Sequence, residues 1–303
     1  MPKSKNSFLF LLFFYFLIIP AYAEDIAIVV GADYNVYKQA LEGFKAKINH
    51  SAKEYGMQND IEEGKKIARE IKKENPKLIF CIGNKATQVI KSEIENIPIV
   101  YALVINPSQY GLSGENICGV SWEPAPLNEF EILKQIAPHL KKIGVIYNPE
   151  SYQNLINEAQ NSASGMGLQL VTKQVRSLSE VNKALEELLP QIEAFWMTPD
   201  PLVANSDVFK KLVFDTLFKG VILYCPAENF VKDGAVFSLS VRFKDSGAQA
   251  AGIANKILEG KATCKDIGTE RPDGLDLFIN KKIIDKLGVS VPESLMSKTT
   301  KIY

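Results

Sequence analysis

The stretch Gly83-Asn84-Lys85-Ala86-Thr87-Gln88 follows the apolar run Leu78–Ile82 and opens into a helical pattern through Val89 and Ile90. A strand that stops at a glycine and turns into a helix offers unpaired N–H groups and the positive end of the helix dipole. Asn84 or Thr87 can cap that start, Gly83 allows close approach, and Lys85 adds formal positive charge. The chemistry this suits is the holding of a carboxylate or another small anion, and a capped turn holding only water is the structural alternative. Asp33, Asp200 and Glu228 fall on other strand-end loops, where a carboxylate can pair with an ammonium or take part in acid–base work. Asp200 sits between Pro199 and Pro201, so an Asx-turn competes with a ligand role, and Glu228 can equally serve a helix start. No G-x-S-x-G, H-E-x-x-H, Walker A loop or G-x-G-x-x-G after a strand occurs. The only histidines, His50 and His139, end helical patterns and neighbour no cysteine. With no nucleophile or metal set beside the carboxylates, binding is expected rather than catalysis, with no cofactor and no metal.

These residues need elements to hold them. Apolar runs predict strands at 25–30, 78–82, 97–104 and 117–122, alternating with helical periodicities that carry Val36, Ala40, Leu41, Phe44 and Ile48, then Ile61, Ile67, Ala68 and Ile71. Residues 51–58 are ambiguous and can hold an edge strand. Pro124 and Pro126 interrupt the pattern, after which the alternation restarts with strands at 142–147, 168–173, 194–197, 221–224 and 235–239. Two such series predict an α/β protein of two doubly wound parallel-sheet lobes facing one cleft. Ligands on these sheets bind at the carboxyl ends of strands. The candidate ligand-binding residues are therefore the strand-end set: Asp33 and Tyr34, the Gly83–Thr87 turn, Tyr101, Ala102 and Asn106, Ser121 and Trp122, then Tyr147 and Asn148, Asp200, and Glu228. Tyr34, Tyr101, Trp122, Trp196 and Tyr224 can sandwich an apolar or aromatic side chain, lobe packing being their ordinary use.

Lys3 and Lys5, the apolar run Phe8–Ile19 and Ala21-Tyr22-Ala23 read as a secretory signal peptide cleaved after Ala23. The run is shorter than the ~20 residues that span a bilayer. Export to the periplasm is expected. Without the two signal lysines, 33 basic residues face 35 acidic ones, a balance that argues against nucleic acid and against a polybasic membrane surface. Cys81, Cys118, Cys225 and Cys264 are widely spaced and form no C-x-x-C, so free buried thiols are preferred and one bridge is the alternative.

A cleavable signal, two α/β lobes and no catalytic set resemble the type I periplasmic solute-binding proteins of ABC importers. The segments Tyr37–Phe44, Gly83–Gln88, Asn116–Ser121, Gly144–Pro149, Gly247–Gly260 and Ile279–Val289 resemble, in order and spacing, the substrate-binding family with tryptophan- and tyrosine-binding members. Cys118 stands where a small polar residue is common, and Trp122 adds bulk. The resemblance implies a first lobe of residues 24–122 and about 243–262, and a second of 123–242 and about 263–303, joined by three hinge segments. It also implies a monomer that captures an amino acid or similar small zwitterion and hands it to an ABC permease. In amino-acid binders of this superfamily the first lobe holds the carboxylate, here among Asn84, Ala86, Thr87, Tyr101, Ala102 and Asn106. The second lobe holds the ammonium, here at Asp200 or Glu228. A ligand sensor for a receptor kinase or chemoreceptor, and a periplasmic enzyme, are the alternatives.

Overall fold

The computed structural model describes residues 24–303; the signal-peptide reading of residues 1–23 lies outside them. The first βα series gives β1 (Ile26–Val30), β2 (Ala52–Gly56), β3 (Leu78–Ile82), β4 (Ile99–Val104) and β5 (Ile117–Ser121). They lie in the order β2-β1-β3-β4-β5, all parallel. The second series gives β6 (Lys142–Tyr147), β7 (Gln169–Gln174), β8 (Ala194–Trp196), β9 (Ile222–Cys225) and β10 (Phe237–Val241), in the matching order β7-β6-β8-β9-β10. In each lobe the order reverses beside the first strand, which opens a crevice at the carboxyl ends there.

Buried parallel strands are apolar on both faces because helices cover both. In β1, Ile26 and Ile28 pack on one side and Ala27 and Val29 on the other, each in its own cluster. In the second lobe Val145, Trp196 and Tyr224 face one cluster, and Ile146, Phe195 and Leu223 the other. The ambiguous segment 51–58 holds β2, an edge strand whose buried side chain is Tyr55.

After β10 the chain returns to the first lobe. Helix Phe243–Leu258 lies against helix Asn35–Lys45 so closely that a Cβ on Gly247 would fall 1.8 Å from the Ala40 carbonyl oxygen. Helix Cys264–Ile267 and β11 (Thr269–Glu270) follow, and β11 adds to the first sheet beside β5. The last crossing therefore comes after residue 270 and not near 263, because two residues of β11 pair with Gly119 and Val120 before the chain leaves. The second sheet then gains β12 (Leu275–Ile279), antiparallel to β10, and β13 (Lys301–Ile302), parallel to β12.

The preference for free thiols is corrected in part. Cys118 on β5 and Cys264 at the start of its short helix form a disulfide across 146 positions, whereas Cys81 and Cys225 are free and buried. Wide spacing was no obstacle, because the return of the chain to the first lobe brings the two cysteines together. Among the described residues no helix is long and apolar enough to cross a membrane.

Candidate functional site

Gly83 has φ +90°, and a Cβ there would meet the Tyr37 hydroxyl at 2.2 Å, so only glycine fits between β3 and its helix. Asn84 clamps this turn to the end of β4: its side chain donates to the Ile105 carbonyl at 2.7 Å and accepts the Ile105 N–H at 2.8 Å. Thr87 is fully buried and donates its hydroxyl to the Gly83 carbonyl at 2.8 Å, so that hydroxyl serves the helix itself. Ala86 and Ala102 are buried in the first-lobe core. The side-chain groups expected to meet a carboxylate at this turn are thus held by neighbouring backbone.

The end of β4 is irregular. Its register against β5 shifts between Tyr101 and Val104, and Leu103 adopts φ 55°. Such bulges re-aim the residues that follow. Asn106, also left-handed at φ 49°, donates its backbone N–H to Glu123 Oε1 at 2.7 Å. Its side-chain amide donates across the cleft to the Ser151 carbonyl, and Gln109 Nε2 reaches Ser151 Oγ at 2.8 Å. Tyr101 shares a 2.6 Å hydrogen bond with Thr269 on β11; burial pushes its hydroxyl pKa up to about 12.

Beside these contacts lies a chamber of about 340 Å³ walled by both lobes. Asn106, Glu123, Thr269 and Arg271 contribute the first wall, and Asn154 and Glu158 on helix Pro149–Gly165 the second. Arg271 Nη2 donates to Glu158, while Nη1 lies 3.4 Å from the Glu123 carbonyl, 3.5 Å from Ser121 Oγ and 3.8 Å from Glu123 Oε2. Glu123 is 5% exposed, and among the described residues its Oε2 accepts no hydrogen bond. Burial raises its carboxyl pKa, against the attraction of Arg271. Glu123 also borders a small neighbouring cavity with Trp122, Glu129, Trp196 and Pro226. Burial pushes Glu129 up to about 8, opposed by the Trp196 indole and Arg271.

The other strand-end candidates are placed apart from this chamber. Asp33 is exposed and paired with Lys38 at 2.7 Å; with Tyr34 it borders a groove of about 720 Å³ that has no wall from the second lobe. Tyr147 joins Gln153 and Gln174, each at 3.1 Å, and Asn148 caps the next helix by accepting the Glu150 N–H at 3.1 Å. Asp200 is 1% exposed and accepts the backbone N–H groups of Asn148 at 2.6 Å and Leu202 at 2.9 Å. The Asx-turn is therefore present. Glu228 is held by the Tyr303 hydroxyl and by Lys301 at 3.1 Å, contacts that lower its pKa. Trp196 and Tyr224 pack in the second-lobe core with Phe130 and Phe237, and Trp122 tilts against Phe243.

Sequence reasoning missed Glu123, Glu158 and Arg271. One signal was available: the chain has only four arginines, and Arg242 and Arg271 both stand where it crosses between lobes.

Two doubly wound lobes around a shared cleft define a periplasmic binding protein type I-like fold. The sequence model of the ABC transporter substrate binding protein family matches residues 32–303, and the chain belongs to that family. A tyrosine-binding protein of Clostridioides difficile (strain R20291) is 26% identical over 260 residues, 82% of this chain and 74% of that one. Among solved structures, a ligand-free, open substrate-binding protein with adhesive properties from Clostridium difficile superposes with TM-score 0.74 at 23% identity, covering 92% of this chain and 98% of that one. An ABC domain in complex with L-Trp from Streptococcus pneumonia does so with TM-score 0.63 at 21% identity, covering 92% and 99%.

Proposed function

We propose that the chain is the exported solute-binding subunit of an ABC importer. It captures an amino acid or a similar small zwitterion between its lobes and hands it to a permease in the inner membrane. The observation that carries this reading is the chamber walled by both lobes, in which a guanidinium and two carboxylates stand side by side. A zwitterion needs both signs of charge within one small volume, and charge-assisted hydrogen bonds are stronger than neutral ones. The family membership and the tyrosine-binding relative support the same ligand class. Because both walls come from one chain, a monomer suffices. A ligand that contacts both walls binds the approached lobes better than separated ones and so favours closure.

The test is mass spectrometry of ligand released from the purified protein, followed by calorimetric titration with L-tyrosine and L-tryptophan. Saturable binding of an unchanged amino acid is expected. Turnover of the added compound, or no binding by any amino acid in a full panel, would overturn the reading.

A further inference from the structure

Arg271 and Glu123 have complementary unfilled capacity. A guanidinium carries five N–H donors, yet among the described residues Arg271 makes a short contact only to Glu158, its Nη1 contacts lying at 3.4 Å and 3.5 Å. Glu123 Oε1 is held by the Asn106 N–H, but Oε2 is buried with no donor among the described residues, 3.8 Å from the nearest Arg271 nitrogen. A buried carboxylate oxygen left in this state loses its hydration without replacement, which is unfavourable until a donor arrives. The raised pKa of Glu123 reflects that same burial. Glu158 differs from Glu123: its side chain is 40% exposed, so it can turn to water when displaced.

An α-amino acid carries a carboxylate and an ammonium on one carbon. That is the complement of a donor-rich guanidinium beside a donor-poor carboxylate. We propose that the chamber is the head-group subsite for a free α-amino acid, with Arg271 taking the ligand carboxylate in the place Glu158 now holds and Glu123 taking the ammonium. This rests on the amino-acid reading above and adds residue roles to it. Glu158 then acts as an internal stand-in for the ligand: it keeps Arg271 paired in the empty protein and gives way on binding. Asn106, fixed to both Glu123 and Ser151, links the filled subsite to the contact between the lobes.

The experiment is calorimetric titration of the full mature chain with L-tyrosine, N-acetyl-L-tyrosine and tyramine, in the parent and in Glu123→Gln, Arg271→Gln and Glu158→Gln. Removing one side of a buried charge pair should lower tyrosine affinity about thirtyfold or more in Glu123→Gln and in Arg271→Gln. Glu158→Gln removes a competitor on a half-exposed ion pair, so affinity should rise about two- to fivefold. The parent should bind both analogues far more weakly than tyrosine. Glu123→Gln should lose its discrimination against N-acetyl-L-tyrosine, and Arg271→Gln its discrimination against tyramine. The analogues report on the parent itself, whatever the stability of the variants. Tyrosine binding by Glu123→Gln within threefold of the parent, or equal binding of all three compounds by the parent, would overturn the subsite while leaving amino-acid capture intact. Failure of the parent to bind any amino acid would overturn both.

Discussion

One oxygen of Asp200 accepts the Asn148 backbone N–H at 2.6 Å, so a buried carboxylate ties the loop after β8 to the loop after β6. The other oxygen accepts the Leu202 N–H within its own turn. The loops after β6 and β8 are thereby set by one side chain. Asp200→Asn puts an NH₂ group where one of two acceptors is needed. Hydrogen bonds to charged groups are worth about 1.5–3 kcal/mol, and the loss should appear in urea unfolding of the ligand-free protein. An unchanged unfolding midpoint would mean that these loops hold their shape without the carboxylate.

Glu129 should make stability depend on pH. Its folded pKa of about 8 lies above the ordinary 4.5, so the folded protein keeps a proton that the unfolded chain has released between those values. Stability then falls as pH rises from about 4.5 towards 8, by an amount on the order of a few kcal/mol for a buried group. Glu129→Gln should be more stable than the parent at pH 8 and closer to it at pH 5. Urea midpoints at both values check this, and a parent-minus-variant difference that is flat with pH would refute it.

Two glycines on helix Phe243–Leu258 should respond oppositely to alanine. A Cβ on Gly247 runs into the Ala40 carbonyl, whereas a Cβ on Gly252 meets nothing within 4 Å. Gly247→Ala forces two packed helices apart and should destabilise by about 1–3 kcal/mol or more. Gly252→Ala restricts the unfolded chain in an exposed helical position and should stabilise by about 0.5–1 kcal/mol. Thermal melts of the two variants side by side give both signs.

The framework was legible in the sequence because parallel strands covered on both sides read as continuous apolar runs, as in Leu78–Ile82 and Ile99–Val104. β2 was ambiguous because an edge strand with one buried side chain has no such run. The direction of a side chain was not legible. Thr87 and Asp200 are the right residue types at strand ends, but short-range bonds to their own backbone turn them inward. Nor was the chamber legible: Arg271 lies 148 positions from Glu123 and 113 from Glu158, and a two-residue strand with no periodicity brings them together.

Loss of the Cys118–Cys264 bridge should cost about 2–5 kcal/mol, as for native disulfides closing long loops. Cys118→Ser with Cys264→Ser should melt lower than the parent, and reductant should lower the parent towards the double variant. Identical melts for oxidised parent and double variant would count against a stabilising role.

The bridge also encircles part of the molecule. Strands β6 to β10 all lie between Cys118 and Cys264, while both cysteines belong to the first lobe. Most of the second lobe is therefore a covalent handle whose two ends are riveted to one body. A protease that cuts a second-lobe loop between those cysteines breaks the polypeptide but releases nothing, since both new ends stay attached through the rivet. Only a reducing agent separates the pieces. One nick in that half therefore need not be a loss.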